Sequence, residues 1–328
     1  MNQRRLLLLG LASGLAGLTS SPRAQTTSAG LRRVGVLAPS TRAKEEVTLK
    51  PFFDEMQRLG WIEGKNIVYD RVFAADRQQD LPQLAADLVA RRPELIYAPP
   101  QIAAIAAGQA TRKIPIVFAT GTDPIGAGLA SSLAHPGGNA TGVLSTIDSL
   151  APKRLELLRE VLPKARRIGL VGNPHDPRLD VERHAMASVA AALGMTIAVA
   201  HASNPAELDA AVPSLLGQGV DVLIGAGSVG SNMRERLTEL ANRRRVPVIG
   251  SIAAVARAGA LFSYGAVLPD QLRRSAQIVD KVLNGANPAN LAIEQPTRFE
   301  LVINLKAAQA LGVTFPQSML LRADEVIQ

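Results

Sequence analysis

Short apolar runs that stop at polar or glycine-rich turns alternate along this chain with amphipathic stretches, and this alternation constrains the fold more than any other feature. Runs at residues 34–38, 67–73, 95–98 and 115–119 have the length and β-branched content of buried strands. Between them, residues 46–59, 81–90 and 102–111 carry apolar side chains at helical spacing; in the first of these the set is Leu49, Phe52, Phe53, Met56 and Leu59. Parallel strands need a crossover that returns over the sheet, so the order strand, helix, strand predicts an α/β protein with doubly wound parallel sheets. The pattern restarts at residues 168–171 and continues through runs at 196–200, 220–225, 246–249 and 261–264. A chain of 328 residues is long for one hydrophobic core, and two such lobes are expected.

Residues 1–24 do not share this pattern. Arg4 and Arg5 precede an apolar run over residues 6–18, and Pro22, Arg23 and Ala24 follow. That order of charge, short apolar core and polar exit predicts a cleaved signal peptide, with residues 25–30 left as a polar tether. The chain has no cysteine, so no lipid-anchoring residue, disulfide or thiolate chemistry is available, and a free periplasmic protein is expected. The formal charge is +8; loss of Arg4, Arg5 and Arg23 leaves 33 basic against 28 acidic residues, or +5. Basic pairs such as Arg32-Arg33 and Arg166-Arg167 are scattered beside element ends, which points to solvated faces and helix-dipole partners rather than nucleic-acid binding.

The richest loop follows the run at 115–119. Thr120, Gly121, Thr122 and Asp123 lie just past its carboxyl end, where open α/β sheets meet their ligands. Asp123-Pro124 reads as a helix N-cap and first helical position. The surrounding stretch, IPIVFATGTDPIGAGLASSLAHPGGNATG at residues 114–142, is joined by RRIGLVGN at 166–173 with Pro174, by PTRFELVINLKAAQALG at 296–312 and by RADEV at 322–326. Together these blocks resemble the periplasmic substrate-binding proteins of the ABC-transporter-associated family that includes tryptophan- and tyrosine-binding members. The resemblance implies a type I periplasmic-binding-protein fold, a ligand held between two lobes without chemistry, no cofactor, and an inner-membrane permease as partner. On this basis the N-terminal lobe is expected over residues 31–145 with a returning segment near 266–298. The C-terminal lobe is expected over 146–264, with residues 299–328 mixed between the two.

Facing carboxyl edges of two sheets would gather one set of polar turns: Ser40, Thr41, Gln101, Thr120, Gly121, Thr122, Asp123, Asn173, Ser228, and Ser263 with Tyr264. Backbone N–H groups at helix starts suit a carboxylate and Asp123 suits an ammonium group, so an amino acid or related zwitterion is the expected ligand. Pro39, Pro99, Pro100 and Tyr264 are candidate walls. Trp61, after a helix end, is expected to pack at the surface rather than to carry a ligand.

Other chemistries fit less well. Gly225, Gly227 and Gly230 form a G-x-G-x-x-G between a strand and a helix, but residues 246–258 offer no acid for a ribose. Ser228 sits in a near nucleophile elbow, yet no histidine follows His201. His135, His175, His184 and His201 have no zinc-binding spacing, and Asp176 and Asp180 near His175 read as exposed loop polarity, so no metal is expected. An apolar leader where a helix-turn-helix would stand disfavours a DNA-binding repressor. A monomeric binding protein feeding a transporter, or a periplasmic sensor module serving a membrane receptor, remain the two non-enzymatic readings.

Overall fold

The computed structural model describes residues 30–145 and 147–328; the expected signal peptide and all but the last residue of the tether lie outside them. Two sheets organise the chain. The first contains β1 (Arg32–Ala38), β2 (Ile67–Phe73), β3 (Leu95–Tyr97), β4 (Ile116–Gly121) and β5 (Ala140–Leu144) in the order β2-β1-β3-β4-β5, with every pair parallel. The second contains β6 (Arg167–Gly172), β7 (Thr196–His201), β8 (Val222–Gly225), β9 (Val248–Gly250), β10 (Phe262–Ala266), β11 (Phe299–Asn304) and β12 (Glu325–Ile327) in the order β12-β11-β10-β9-β8-β6-β7.

Side-chain alternation builds a core on both faces of each sheet. In the first lobe, Val36 and Tyr97 face Phe52 and Met56 of the helix Lys50–Arg58 and Val279 of the helix Leu268–Leu283. The next residue along β1, Leu37, faces the opposite way, onto Leu81, Leu88 and Ala107. In the second lobe, Leu170 and Ile224 meet Leu155 and Leu158 of the helix Ile147–Val161, while Val171 and Leu223 meet Leu208 and Val212 of the helix Pro205–Gly217. Trp61 is half-buried against the first-lobe core, and its Nε1 donates to Asp280 Oδ1 at 2.9 Å.

The chain passes between lobes after β5, after β10 and before β11. The helix Leu268–Leu283 covers the first sheet although the strands on either side of it belong to the second. That excursion explains the one antiparallel pair among the described residues, β10 with β11. A strand re-entering from the other lobe starts at the edge where its neighbour ended, so it must run the opposite way, and the strict parallel pattern expected from sequence gains an exception. Residues 299–328, expected to mix the lobes, place β11 and β12 in the second sheet.

Two local expectations need correction. The single helix expected over residues 46–59 is two, Arg42–Thr48 and Lys50–Arg58, because Pro51 lacks the N–H needed to continue the first. No helix starts at Asp123. Residues 124–128 form turns, with Gly128 at φ +68°, and two glycines in five residues leave the helix poorly supported.

Candidate ligand site between the lobes

The carboxyl ends of β1, β3 and β4 in the first lobe and of β6, β8 and β9 in the second lead into loops that enclose a cavity of about 110 Å³. Since a single water needs roughly 10–15 Å³ by this measure, the space suits a small organic molecule. Pro39, Glu45, Pro99, Pro100 and Thr120 come from the first lobe, and Arg178, Gly227, Ser231, Asn232 and Ile252 from the second. The crossing segments contribute Ser145, Gly265, Leu268 and Gln271. Two hydrogen bonds span the cleft rim: Asn173 Nδ2 donates to Gln78 Oε1 at 2.7 Å, and Lys44 Nζ donates to the Asn232 carbonyl at 3.0 Å.

A carboxyl group and a guanidinium line the cavity from opposite sides, Glu45 and Arg178. Glu45, in the first turn of the helix Arg42–Thr48, is 7% exposed, and its Oε1 accepts the Ser40 N–H at 3.1 Å. Burial pushes its carboxyl up to about 7; nearby Asp76 adds to this, while the Ser40 N–H and Lys44 oppose it. Across the cavity, Arg178 gives Nε and Nη2 to the two oxygens of Asp176, at 3.0 and 2.7 Å. Asp176 is itself buried, which raises its carboxyl, but the Arg178 charge and hydrogen bonds from Arg178 and the Ser228 N–H hold it below the ordinary range. Arg154, fully buried in the wall, donates Nη2 to Glu182 Oε1 at 2.5 Å and Nη1 to the Tyr264 carbonyl at 3.4 Å. Burial pushes the Glu182 carboxyl up against the pull of Arg154 and Arg178.

The glycine motif after β8 has a packing explanation. Asp176 Oδ2 accepts the Ser228 N–H at 2.8 Å, so a carboxylate of the protein itself already occupies the turn where a pyrophosphate would sit. A Cβ on Gly227 would stand 2.5 Å from that oxygen, and one on Gly230 would stand 2.2 Å from the Gly225 carbonyl oxygen. Gly230→Ala is therefore expected to destabilise the protein by roughly 1–3 kcal/mol through overpacking, read as a lower denaturation midpoint at unchanged slope. Asp176, expected on an exposed loop, is 2% exposed because it caps the helix Pro177–Ala190. His175 and Asp180 beside it are exposed.

Of the residues expected at the site, Thr120 lines the cavity. Ser40 stands behind Glu45 and also donates Oγ to Asp76 Oδ1 at 2.8 Å. Thr41 precedes the same helix and makes no side-chain cap. Gln101 is committed to its own loop: Oε1 accepts the N–H groups of Thr122 and Asp123, at 2.5 and 2.9 Å, and Nε2 donates to the Asp123 carbonyl. Gly121 pairs with Leu144 at the end of β4. Asp123 is exposed, and its Oδ1 accepts the Gly126 N–H at 2.8 Å. Asn173 is at the rim contact described above. Ser228 and Ser263 are buried, each with an Oγ that has no partner among the described residues. Tyr264 packs half-buried against the second-lobe core, so Pro39, Pro99 and Pro100, but not Tyr264, are among the cavity walls.

Glu45, Arg154 and Arg178 escaped the sequence reading, although one signal was present. Arg154 falls on the apolar stripe Leu150, Arg154, Leu158, and Glu182 on Leu179, Glu182, Met186; opposite charges on the inward faces of successive helices imply a buried pair.

Two α/β lobes meeting at a small cavity across several chain crossings form a cleft of the kind that holds a small molecule. The sequence profile of the ABC transporter substrate binding protein family matches residues 34–327, and the chain belongs to that family. Its role is accordingly to bind a solute. A tyrosine-binding protein of Clostridioides difficile is 26% identical over 309 residues, which cover 94% of this chain and 88% of that protein. A conserved domain protein from Vibrio cholerae superposes with a TM-score of 0.83 at 29% identity, covering 90% of this chain and 99% of that one. An ABC domain from Streptococcus pneumoniae in complex with L-Trp shares the fold with a TM-score of 0.82 at 24% identity, covering 90% and 100%.

Proposed function

We propose that this protein is exported by residues 1–24, works in the periplasm as a monomer, and captures an amino acid or related zwitterion that it hands unaltered to an ABC transporter permease. The observation that carries the ligand class is the opposition of charges across one cavity, with Glu45 on the first lobe and Arg178 on the second. Glu45 holds the ammonium group and Arg178 the carboxylate, so a zwitterion touches both lobes and favours their closure. The tyrosine-binding relative and the L-Trp complex support an amino acid. The apolar walls, Leu49, Leu150, Leu268 and Leu272 with the prolines, suit an apolar side chain. In this reading residues 31–145 and 266–298 form the first lobe; Thr120 lines its wall, Ser40 backs Glu45, and Gln101 holds the loop that follows Thr120. Asp123 is peripheral, because its carboxylate caps a surface turn.

A thermal-shift screen of amino acids, followed by calorimetry, tests the proposal. A ligand at 100 times its Kd stabilises by about 2.7 kcal/mol, a shift of several degrees. Asp123→Ala should keep wild-type affinity while Arg178→Gln loses at least about tenfold. A screen in which no amino acid shifts the wild type, or in which NAD does, removes the proposal.

A further inference from the structure

Arg154 holds three elements at once. It rises from the helix Ile147–Val161, which carries the chain into the second lobe, and pairs with Glu182 on the helix Pro177–Ala190. Its Nη1 also reaches the carbonyl of Tyr264 on β10, one residue before Gly265 lines the cavity and two before the chain turns toward the first lobe. Space at that turn is tight: a Cβ on Gly265 would meet the Ser251 carbonyl oxygen at 1.8 Å. Two of the chain's crossings between lobes are thus tied to one guanidinium.

That guanidinium is also incomplete. Both charges of the pair are fully buried, and Arg154 Nε and Glu182 Oε2 have no partner among the described residues. Leaving a charged donor buried and unpaired is unfavourable, and an apolar pair of similar volume would fill the same space at less cost. Arg154 lines the ligand cavity and grips the hinge, and packing alone does not require a charge there.

We propose that Arg154 is the positioning residue through which a bound carboxylate drives lobe closure: the ligand supplies the acceptor for its Nε–H, and the completed guanidinium fixes Tyr264 and the Gly265 turn in the closed arrangement. The inference rests on the zwitterion reading above and adds the route from occupancy to motion. A ligand shifts a conformational equilibrium only through contacts that differ between the two states, and a donor shared by cavity and hinge provides such a contact.

The absence of cysteine allows a clean test. Val47→Cys, beside the cavity-lining Thr48, and Glu235→Cys, three residues past the cavity-lining Asn232, are exposed positions on the two lobes that accept a fluorophore pair to report closure. Closure and calorimetric affinity are measured together, with the tightest amino acid from the screen, in wild type, Arg154→Lys and the double variant Arg154→Met, Glu182→Met. The double variant removes both charges, so the fold is retained if the lysine variant proves unstable. Both variants are expected to bind about 10–100-fold more weakly and, at saturating ligand, to show less than half of the wild-type change in transfer efficiency. Arg178→Gln, the comparison, should weaken binding yet close fully once saturated. Full closure of both Arg154 variants at saturation overturns the coupling and leaves the zwitterion reading standing. A wild type that binds no amino acid overturns both.

Discussion

Replacing Glu182 with alanine is expected to destabilise the protein by about 3–5 kcal/mol, the largest loss predicted for any single change in the second lobe. The substitution leaves Arg154 fully buried with its Nη2 donor unmatched, and an arginine cannot shed its proton to escape the low-dielectric interior. Removing both partners is a different experiment. With Arg154→Met and Glu182→Met together, no charge remains to be desolvated, and the space among Leu155, Leu158, Leu179 and Met186 is filled by flexible apolar side chains. The double variant is expected within about 1–2 kcal/mol of wild type, on either side. Chemical denaturation of Arg154→Met, Glu182→Met and their double variant forms a cycle whose coupling energy should exceed about 2 kcal/mol. A Glu182→Ala protein as stable as wild type would mean that the pair is solvated, and the buried position of the Arg154 side chain would have to be abandoned.

The lobes were legible in the sequence because they are repetitive: a strand or helix buried on one face announces itself in every turn, and runs such as residues 34–38 and 115–119 are strands where the pattern puts them. The antiparallel β11 was not, since its direction is decided by where the intervening helix Leu268–Leu283 packs, a long-range matter that local pattern does not encode. The site was read from strand ends, and strand ends do surround the cavity; Thr120 lines it, while others of the expected residues turn to their own loops for a consistent reason. Polar residues in loops, such as Gln101 and Asp123, satisfy the backbone around them first, and the loop consumes their hydrogen-bonding capacity. Glu45 and Arg178 instead reach the cleft from the first turns of helices, positions where a charged residue is so common that spacing gives it no distinction. The buried pair Arg154 and Glu182 left a signal that reading from strand ends passed over, a charge standing in each of two apolar stripes.

Glu45→Gln is expected to do two things that rarely go together, raising stability and abolishing tight binding. The carboxyl of Glu45 is held at about 7 in the folded chain, against an ordinary value of 4.5, chiefly by burial. A raised carboxyl means that the folded state keeps its proton where the unfolded state has lost it, so this group's contribution to stability falls as pH rises between about 4.5 and 7 and stays low above that. At 1.36 kcal/mol per unit, the ionised group penalises the ligand-free protein by up to about 3 kcal/mol at pH 8. Glutamine carries no charge to desolvate, so the variant should melt higher at pH 8 and near wild type at pH 4. Binding runs the other way. An ammonium ligand needs the ionised carboxylate, so wild-type affinity should fall as pH drops below about 7, approaching tenfold per unit well below it, while the glutamine variant binds weakly and evenly across the same range. Capture at neutral pH should also release protons, because a bound ammonium draws the carboxyl back toward its ordinary value; calorimetry in buffers of different ionisation heat measures that release directly. A variant that is destabilised at pH 8, or that keeps wild-type affinity and pH dependence, would place the ammonium group elsewhere in the cleft and leave the burial of Glu45 without a purpose in binding.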